Sequence, residues 1–219
     1  MAAGRKAYRG LGMEGSVARW YERTTRTDMA EFTALAARFA AHLPPGGAVL
    51  EVAPGPGFLA IELARLGFEV LGIDISRTFV ELARANAAAA PVRARFEWGD
   101  ASALPIPDAS RDGVVCRAAF KNFATPVQAL REMNRVLRPG GTALLVDLRR
   151  DASLSEIRRF VDTLGVGPLN RAVMMATFRW MLLKRAYTVD QIRRMAAEAG
   201  WTQVRIEVQT IGFEAWMRR

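Results

Sequence analysis

The sequence is poor in the residues that build disulfides and metal sites: among 219 residues there is one cysteine, Cys116, and one histidine, His42. A lone thiol closes no intramolecular disulfide, and one Cys with one His excludes a zinc site of the Cys/His type. An intracellular, cytoplasmic location is the default expectation. Long apolar runs are missing too. The longest, Ala172 to Leu183, is broken by Thr177 and Arg179 and ends at Lys184 and Arg185, short of the ~18 apolar residues that a spanning helix needs. The opening Met1-Ala-Ala-Gly-Arg-Lys6 has charge but no apolar stretch behind it, so it does not read as a secretory signal. Lysine is confined to positions 6, 121 and 184, although the net charge is +9. The positive excess is arginine, and alanine is abundant as well. That joint bias reads as GC-rich coding DNA, which favours a solvated basic surface over a nucleic-acid footprint.

What is present is a globular composition, 51% hydrophobic and 24% charged, at a length suited to one domain. Periodicity and punctuation give alternating strands and helices. A helical region runs from Ser16 to His42 and stops at Pro44-Pro-Gly-Gly47. Strands are expected at 48–53, 68–74, 95–98, 112–117 and 142–147. Helices are expected at 58–66, after Ser76 as N-cap, and after Thr125-Pro-Val-Gln128, which combines a capping box with proline at the first helical position. Two more capping boxes, Ser153-Leu-Ser-Glu156 and Thr188-Val-Asp-Gln191, open later helices, and Pro168 to Arg185 reads as a further one. Residues 204–210 and 213–217 form a closing hairpin, which adds an antiparallel edge. The alternation implies an α/β fold with a mostly parallel sheet covered on both faces. The chain divides into a helical cap (1–43), a core (45–150), a helical insert or lid (151–187) and a final helix with the hairpin (188–219).

The distinctive residues fall at the carboxyl ends of the strands, where ligands bind in open α/β sheets. After the first strand comes Glu51-Val-Ala-Pro-Gly-Pro-Gly57, after the second Asp74, after the third Gly99-Asp100-Ala101. Glycines allow close backbone approach, a carboxylate at 74 can accept both hydroxyls of a ribose, and one at 100 can accept from an exocyclic amine. Gly55-x-Gly57-x-x-Ala60 with Asp74 would also suit a dinucleotide. Asp100 and the turn Leu137-Arg-Pro-Gly-Gly141 before a strand ending in Asp147 decide against that.

With Val49-Leu-Glu-Val-Ala-Pro-Gly-Pro-Gly57, Gly72-Ile-Asp74, Gly99-Asp100-Ala101 and Val136-Leu-Arg-Pro-Gly-Gly141 together, the chain resembles the class I S-adenosylmethionine-dependent methyltransferases. The resemblance implies a Rossmann-like, seven-stranded sheet with an antiparallel C-terminal strand, and S-adenosylmethionine as cofactor. It implies that Glu51, Ala53, Pro54, Gly55 and Gly57 hold the methionine part, and Asp74 the ribose. Ile75, Gly99, Asp100 and Ala101 would surround the adenine, and Cys116, Arg117 and Phe120 would line the pocket. Ala53 stands where the family often has glycine, and Pro56 supplies no N–H.

Ala119-Phe-Lys-Asn-Phe123 and the helix up to Leu137 are locally similar to the C-methyltransferases of ubiquinone and menaquinone biosynthesis. This favours a small apolar or aromatic acceptor, touched by Lys121, Asn122, Trp20 and Tyr21 and by Met174, Met175, Phe178 and Met181 of the insert. Methyl transfer is an in-line displacement in which alignment supplies much of the rate. Asp147 is a candidate base and Tyr21 a candidate orienting group. The alternatives are an RNA or protein methyltransferase, or a protein of this fold that binds the cofactor without methylating.

Overall fold

The computed structural model describes Tyr8, Arg9 and residues 12–165 and 167–219, with the side chain of Met181 outside the description. Among the described residues, seven strands form one sheet in the order β3-β2-β1-β4-β5-β7-β6. They are β1 (Ala48–Val52), β2 (Glu69–Asp74), β3 (Ala94–Trp98), β4 (Arg111–Arg117), β5 (Leu137–Leu148), β6 (Gln203–Val208) and β7 (Gly212–Arg218). The pairs among β3, β2, β1, β4 and β5 are all parallel. Strand order reverses between β1 and β4, the switch point at which such sheets open a cleft beyond their strand tips.

Central strands are buried on both sides, as a sheet sandwiched by helices requires. Leu50 and Val52 of β1, with Val114 and Cys116 of β4, pack toward α5 (Pro126–Val136) and α9 (Val189–Glu198). Val49 and Val115 face the other way, onto α2 (Met29–Ala40), α3 (Phe58–Arg65) and α4 (Arg77–Ala88). Period-two alternation therefore sends Glu51 to the α3 side, beside Val49.

The hairpin forms the antiparallel edge as expected, in an order that the sequence pattern leaves open. Its second strand, β7, inserts between β5 and β6 and runs antiparallel to both, so β6 is the edge. Side chains explain the order. β7 buries Phe213, Ala215, Trp216 and Met217, whereas β6 alternates Val204 and Ile206 with exposed Gln203, Arg205 and Glu207, a pattern suited to an edge.

The N-terminal helical region is two helices, α1 (Gly15–Thr25) and α2, separated by a 3-10 turn at Arg26–Asp28. Threonines cause the break: the Thr24 and Thr25 hydroxyls both donate back to the Tyr21 carbonyl, and Thr27 donates to Thr24 O, bonds that compete with the helical ladder. Pro126 starts α5 as expected, but the Thr125 hydroxyl makes no cap bond. The boxes at Ser153/Glu156 and Thr188/Gln191 do form, opening α6 (Leu154–Thr163) and α9. The long helix is α7 (Pro168–Thr177), continued through a π-helical turn at Phe178–Leu182 into the single turn α8 (Leu183–Arg185).

Gly57 shows how tightly the first crossover is packed. Its φ is +81°, and a Cβ there would lie 2.7 Å from Phe96 Cζ and 2.9 Å from the Ala83 methyl. This glycine serves the contact of α3 and α4 with β3. Gly57→Ala is expected to cost about 2–4 kcal/mol through left-handed strain and overpacking, read as a lower urea midpoint at an unchanged m-value.

Candidate functional site

At the switch point the tips of β1, β2 and β3 surround one cavity of about 290 Å³. After β1 the chain coils through Ala53 (φ +56°), Gly55 (φ +55°) and Gly57. The turn is tied down by Ala53 N–H to Ile73 O (2.8 Å) and Gly57 N–H to Pro54 O (3.1 Å). A Cβ on Gly55 would meet nothing closer than Tyr21 at 3.9 Å and Phe79 at 4.0 Å, so the loop faces open space between two rings. The Gly55 N–H is already used, donating to Asp74 Oδ2 at 3.0 Å.

Asp74 Oδ1 accepts from Ser76 N–H at 2.8 Å. Burial pushes its pKa up to about 6, against the pull of those two amides. Glu51 is buried, and its Oε2 has no hydrogen-bond partner. Burial raises its pKa to about 8, opposed by the Ala60 amide and the Arg117 charge. Both carboxylates line the cavity. Asp100 lies at its rim, its Oδ1 accepting from both the amide and the hydroxyl of Ser102 at 2.8 Å. An unpartnered buried carboxylate oxygen fits an ammonium group, and a carboxylate cradled by backbone amides keeps further lone pairs for a vicinal diol. The donor set therefore fits S-adenosylmethionine.

The structure brings Tyr21, Ile75, Gly99, Ala101 and Arg117 to this cavity together with Ala53, Pro54, Gly55 and Pro56 of the β1 loop, while Gly57, expected with them, packs against Phe96 and Ala83 instead. Arg117 sits with its guanidinium 4.4 Å from the Phe32 ring centroid and pairs with Glu31 at 3.1 Å. Other expected residues lie elsewhere. Cys116 and Phe120 are fully buried in the core; burial pushes the Cys116 thiol pKa well up, and Phe120 packs on Phe123 and Tyr187. Lys121 turns inward to Asp147: Nζ donates to Oδ1 at 2.8 Å and the Lys121 amide to Oδ2 at 2.9 Å. The Asp147 carboxylate is thus engaged away from the cavity. Asn122 instead accepts from Arg9 N–H through its carbonyl at 2.7 Å, and Trp20 is 58% exposed. Met174, Met175 and Phe178 pack on Ile157, Val161, Leu183 and Ile211, a small core of their own. The Met181 side chain is outside the described residues.

Sequence reasoning missed the N-terminal residues that reach the cavity. Tyr8, Met13 and Glu14 line the cavity with Phe32, Phe79 and Phe123. Tyr8 bridges Phe123, and Ser76 Oγ donates to Met13 O at 2.6 Å. Glu14 accepts from the amides of Arg77 and Thr78, both at 3.0 Å, and from the Thr78 hydroxyl at 2.6 Å. Burial would raise its pKa, but these donors hold it below the usual carboxylate range. Glu14 thus caps α4 from 63 residues away, a contact that local pattern cannot announce.

The Glu51 shift has a sign that can be tested. In the folded chain it holds a proton that the unfolded chain releases near its ordinary value of 4.5. The stability this confers is full below that value and is lost as pH rises toward 8. Comparing Tm with that of Glu51→Gln, the wild-type protein is expected to fall further between pH 5 and 8; a constant difference would contradict the assignment.

Residues 50–145 match the methyltransferase domain family. Over 122 residues the chain is 46% identical to a demethylmenaquinone methyltransferase of Deinococcus radiodurans, covering 55% of this chain and 50% of that one. Over 154 residues it is 36% identical to a ribosomal protein L11 methyltransferase of Thermus thermophilus, covering 70% and 58%. The chain thus spans about half the length of the curated relatives it matches. Among solved structures, a putative S-adenosyl-L-methionine-dependent methyltransferase of Methanococcus maripaludis superposes with a TM-score of 0.77 at 20% identity, over 99% of this chain and 96% of that one, a likeness of fold. With the strand order and these matches, residues 50–145 are similar to the methyltransferase domain family, and the chain has the fold of S-adenosylmethionine-dependent methyltransferases.

Proposed function

We propose that the chain transfers a methyl group to a small, apolar or aromatic acceptor. The observation that carries this reading is a cavity lined both by the carboxylates of Glu51, Asp74 and Asp100 and by the rings of Tyr8, Tyr21, Phe32 and Phe123. Glu51 and the Ala53–Gly57 loop would hold the methionine part, Asp74 the ribose hydroxyls, and Asp100 the adenine amine between Ile75 and Ala101. When bound, the cofactor supplies an electrophilic methyl on a sulfonium centre. The aromatic faces would orient a flat acceptor and favour positive charge next to it. Proton removal is left to weak groups. Asp147 is paired with Lys121, and burial raises the Tyr8 pKa, so its phenol stays protonated at neutral pH and donates. Tyr21 is the second phenol at that wall, held edge-on to Phe79 at 5.8 Å. Chemistry of this kind suits an acceptor that is nucleophilic in itself, with rate coming from alignment. The lining by Tyr8, Met13 and Glu14 favours a small acceptor over a macromolecule, and residues 151–187, packed on a small core with Ile211, stand as a separate insert.

Isothermal titration with S-adenosylhomocysteine tests the cofactor half. Asp74→Asn is expected to weaken binding by at least about tenfold, the scale of a hydrogen bond to a charged group. Unchanged affinity in Asp74→Asn and in Asp100→Asn together would move the site elsewhere. The acceptor half is read by S-adenosylhomocysteine release with a panel of phenols and quinols. Phe123→Ala is expected to raise KM for the acceptor several-fold while leaving S-adenosylhomocysteine affinity within about twofold; the reverse pattern would place the acceptor on another wall.

A further inference from the structure

The insert carries an apolar stripe for which the catalytic reading has no use. Leu169, Val173, Ala176 and Trp180 recur at spacings of four, three and four along α7 and the π-helical turn, which puts them on one face. Leu169 is 78% exposed, and Val173 and Trp180 are 58% exposed each. The opposite face, with Met174, Met175 and Phe178, is the one that packs on the small core below. A helix on a globular surface normally turns polar residues to water. This one is apolar on both sides, one covered and one bare.

Charge indicates what covers the bare side. Between Thr163 and Thr188 the sequence has four cations, Arg171, Arg179, Lys184 and Arg185, and no carboxylate. Arg171 pairs with Asp162 of α6 at 2.7 Å. The Arg179 guanidinium and the Lys184 ammonium each lie 5.0 Å from the Trp180 ring centroid. An indole between two cations, at the end of an aliphatic stripe, matches the order of an anionic bilayer surface. Acyl chains accept the Leu and Val side chains, the interfacial layer accepts the indole, and phosphates meet the cations. A second copy of this chain would bring Arg179 and Lys184 against the same two cations. No helix among the described residues is long and apolar enough to cross a membrane, so the contact is one of lying on the surface.

We propose that the insert docks through this stripe on an anionic lipid surface. The docking goes beyond the methyl-transfer reading and stands or falls separately from it. The C-terminal end of the insert also reaches the cavity's neighbourhood: the Tyr187 hydroxyl accepts from Arg9 at 3.0 Å, one residue from the cavity-lining Tyr8.

Flotation of the purified full chain with phosphatidylcholine vesicles, with and without phosphatidylglycerol, tests this. The chain is expected to float with the phosphatidylglycerol vesicles, less so at high salt, and to remain behind with phosphatidylcholine alone. Leu169→Ser with Trp180→Ser, and separately Arg179→Glu with Lys184→Glu, are each expected to weaken that partitioning about tenfold or more. Both pairs are exposed, so Tm and S-adenosylhomocysteine affinity should hold. Failure to float, or equal flotation of both variants, overturns the proposal. So does a wild-type dimer that the Leu169→Ser, Trp180→Ser protein breaks, since the stripe then belongs to a second copy.

Discussion

The structure turns on two carboxylates withdrawn from water without a cation to neutralise them. Elsewhere in this fold buried acids are paired: Glu62 with Arg65, Glu132 with Arg135, Asp147 with Lys121 and Glu214 with Arg38. Glu51 and Asp74 are buried as well, yet neither forms a salt bridge among the described residues. One leans on backbone amides, and the other leaves an oxygen unbonded. An unsatisfied buried polar group costs about 1–3 kcal/mol, and a fold that pairs its other buried acids had the means to avoid it. The exceptions are the two that face the cavity. Their raised pKa values mark the same cost, which a cationic, diol-bearing ligand would offset.

Of the three non-glycine residues with left-handed backbone among the described residues, two, Ala53 and Ala118, stand at the same place, and Ala109 lies elsewhere. Ala53 follows β1 with φ +56°, and Ala118 follows β4 with φ +58°. These residues flank the switch point and both line the cavity. A left-handed alanine costs about 1–2 kcal/mol. Each is held by a sheet-continuing bond, Ala53 N–H to Ile73 O and Ala118 N–H to Val146 O, both 2.8 Å. Strain of this kind persists only where surrounding structure over-determines it. Here it turns the chain sharply away from the strand tips and leaves room between them.

Strands β1 to β4, the caps at Ser76, Ser153 and Thr188, and the three acidic tips were legible in the sequence because each is written in a few adjacent residues. What depends on remote partners was not. The order β5-β7-β6 follows from which hairpin strand buries more, and a hairpin pattern alone does not rank its two strands. Lys121 reads as an acceptor contact in its Phe-Lys-Asn-Phe setting until Asp147, 26 residues on, takes its charge. The insert methionines have a core-like pattern and a pocket-like composition, and only the presence of Ile157, Val161 and Ile211 beneath them distinguishes the two. Tyr8, Met13 and Glu14 sit in a stretch with no periodicity, yet Phe123 and the start of α4 with its cap Ser76 supply their partners.

Net charge and local charge point opposite ways in this chain, and distance reconciles them. The whole carries +9, while the cavity concentrates Glu51, Asp74 and Asp100. At physiological ionic strength the field of exposed charge fades over about 8 Å. Surface arginines away from the cavity are therefore screened from it, while inside, where Arg117 lines the wall, burial raises the cost of ionising Glu51 and Asp74, a cost that a bound cation would offset. The same screening confines the reach of the basic surface to partners in contact with it. One molecule can in this way hold a cationic cofactor in an acidic pocket and present a basic, apolar-striped flank to an anionic partner, because the two fields act on different length scales.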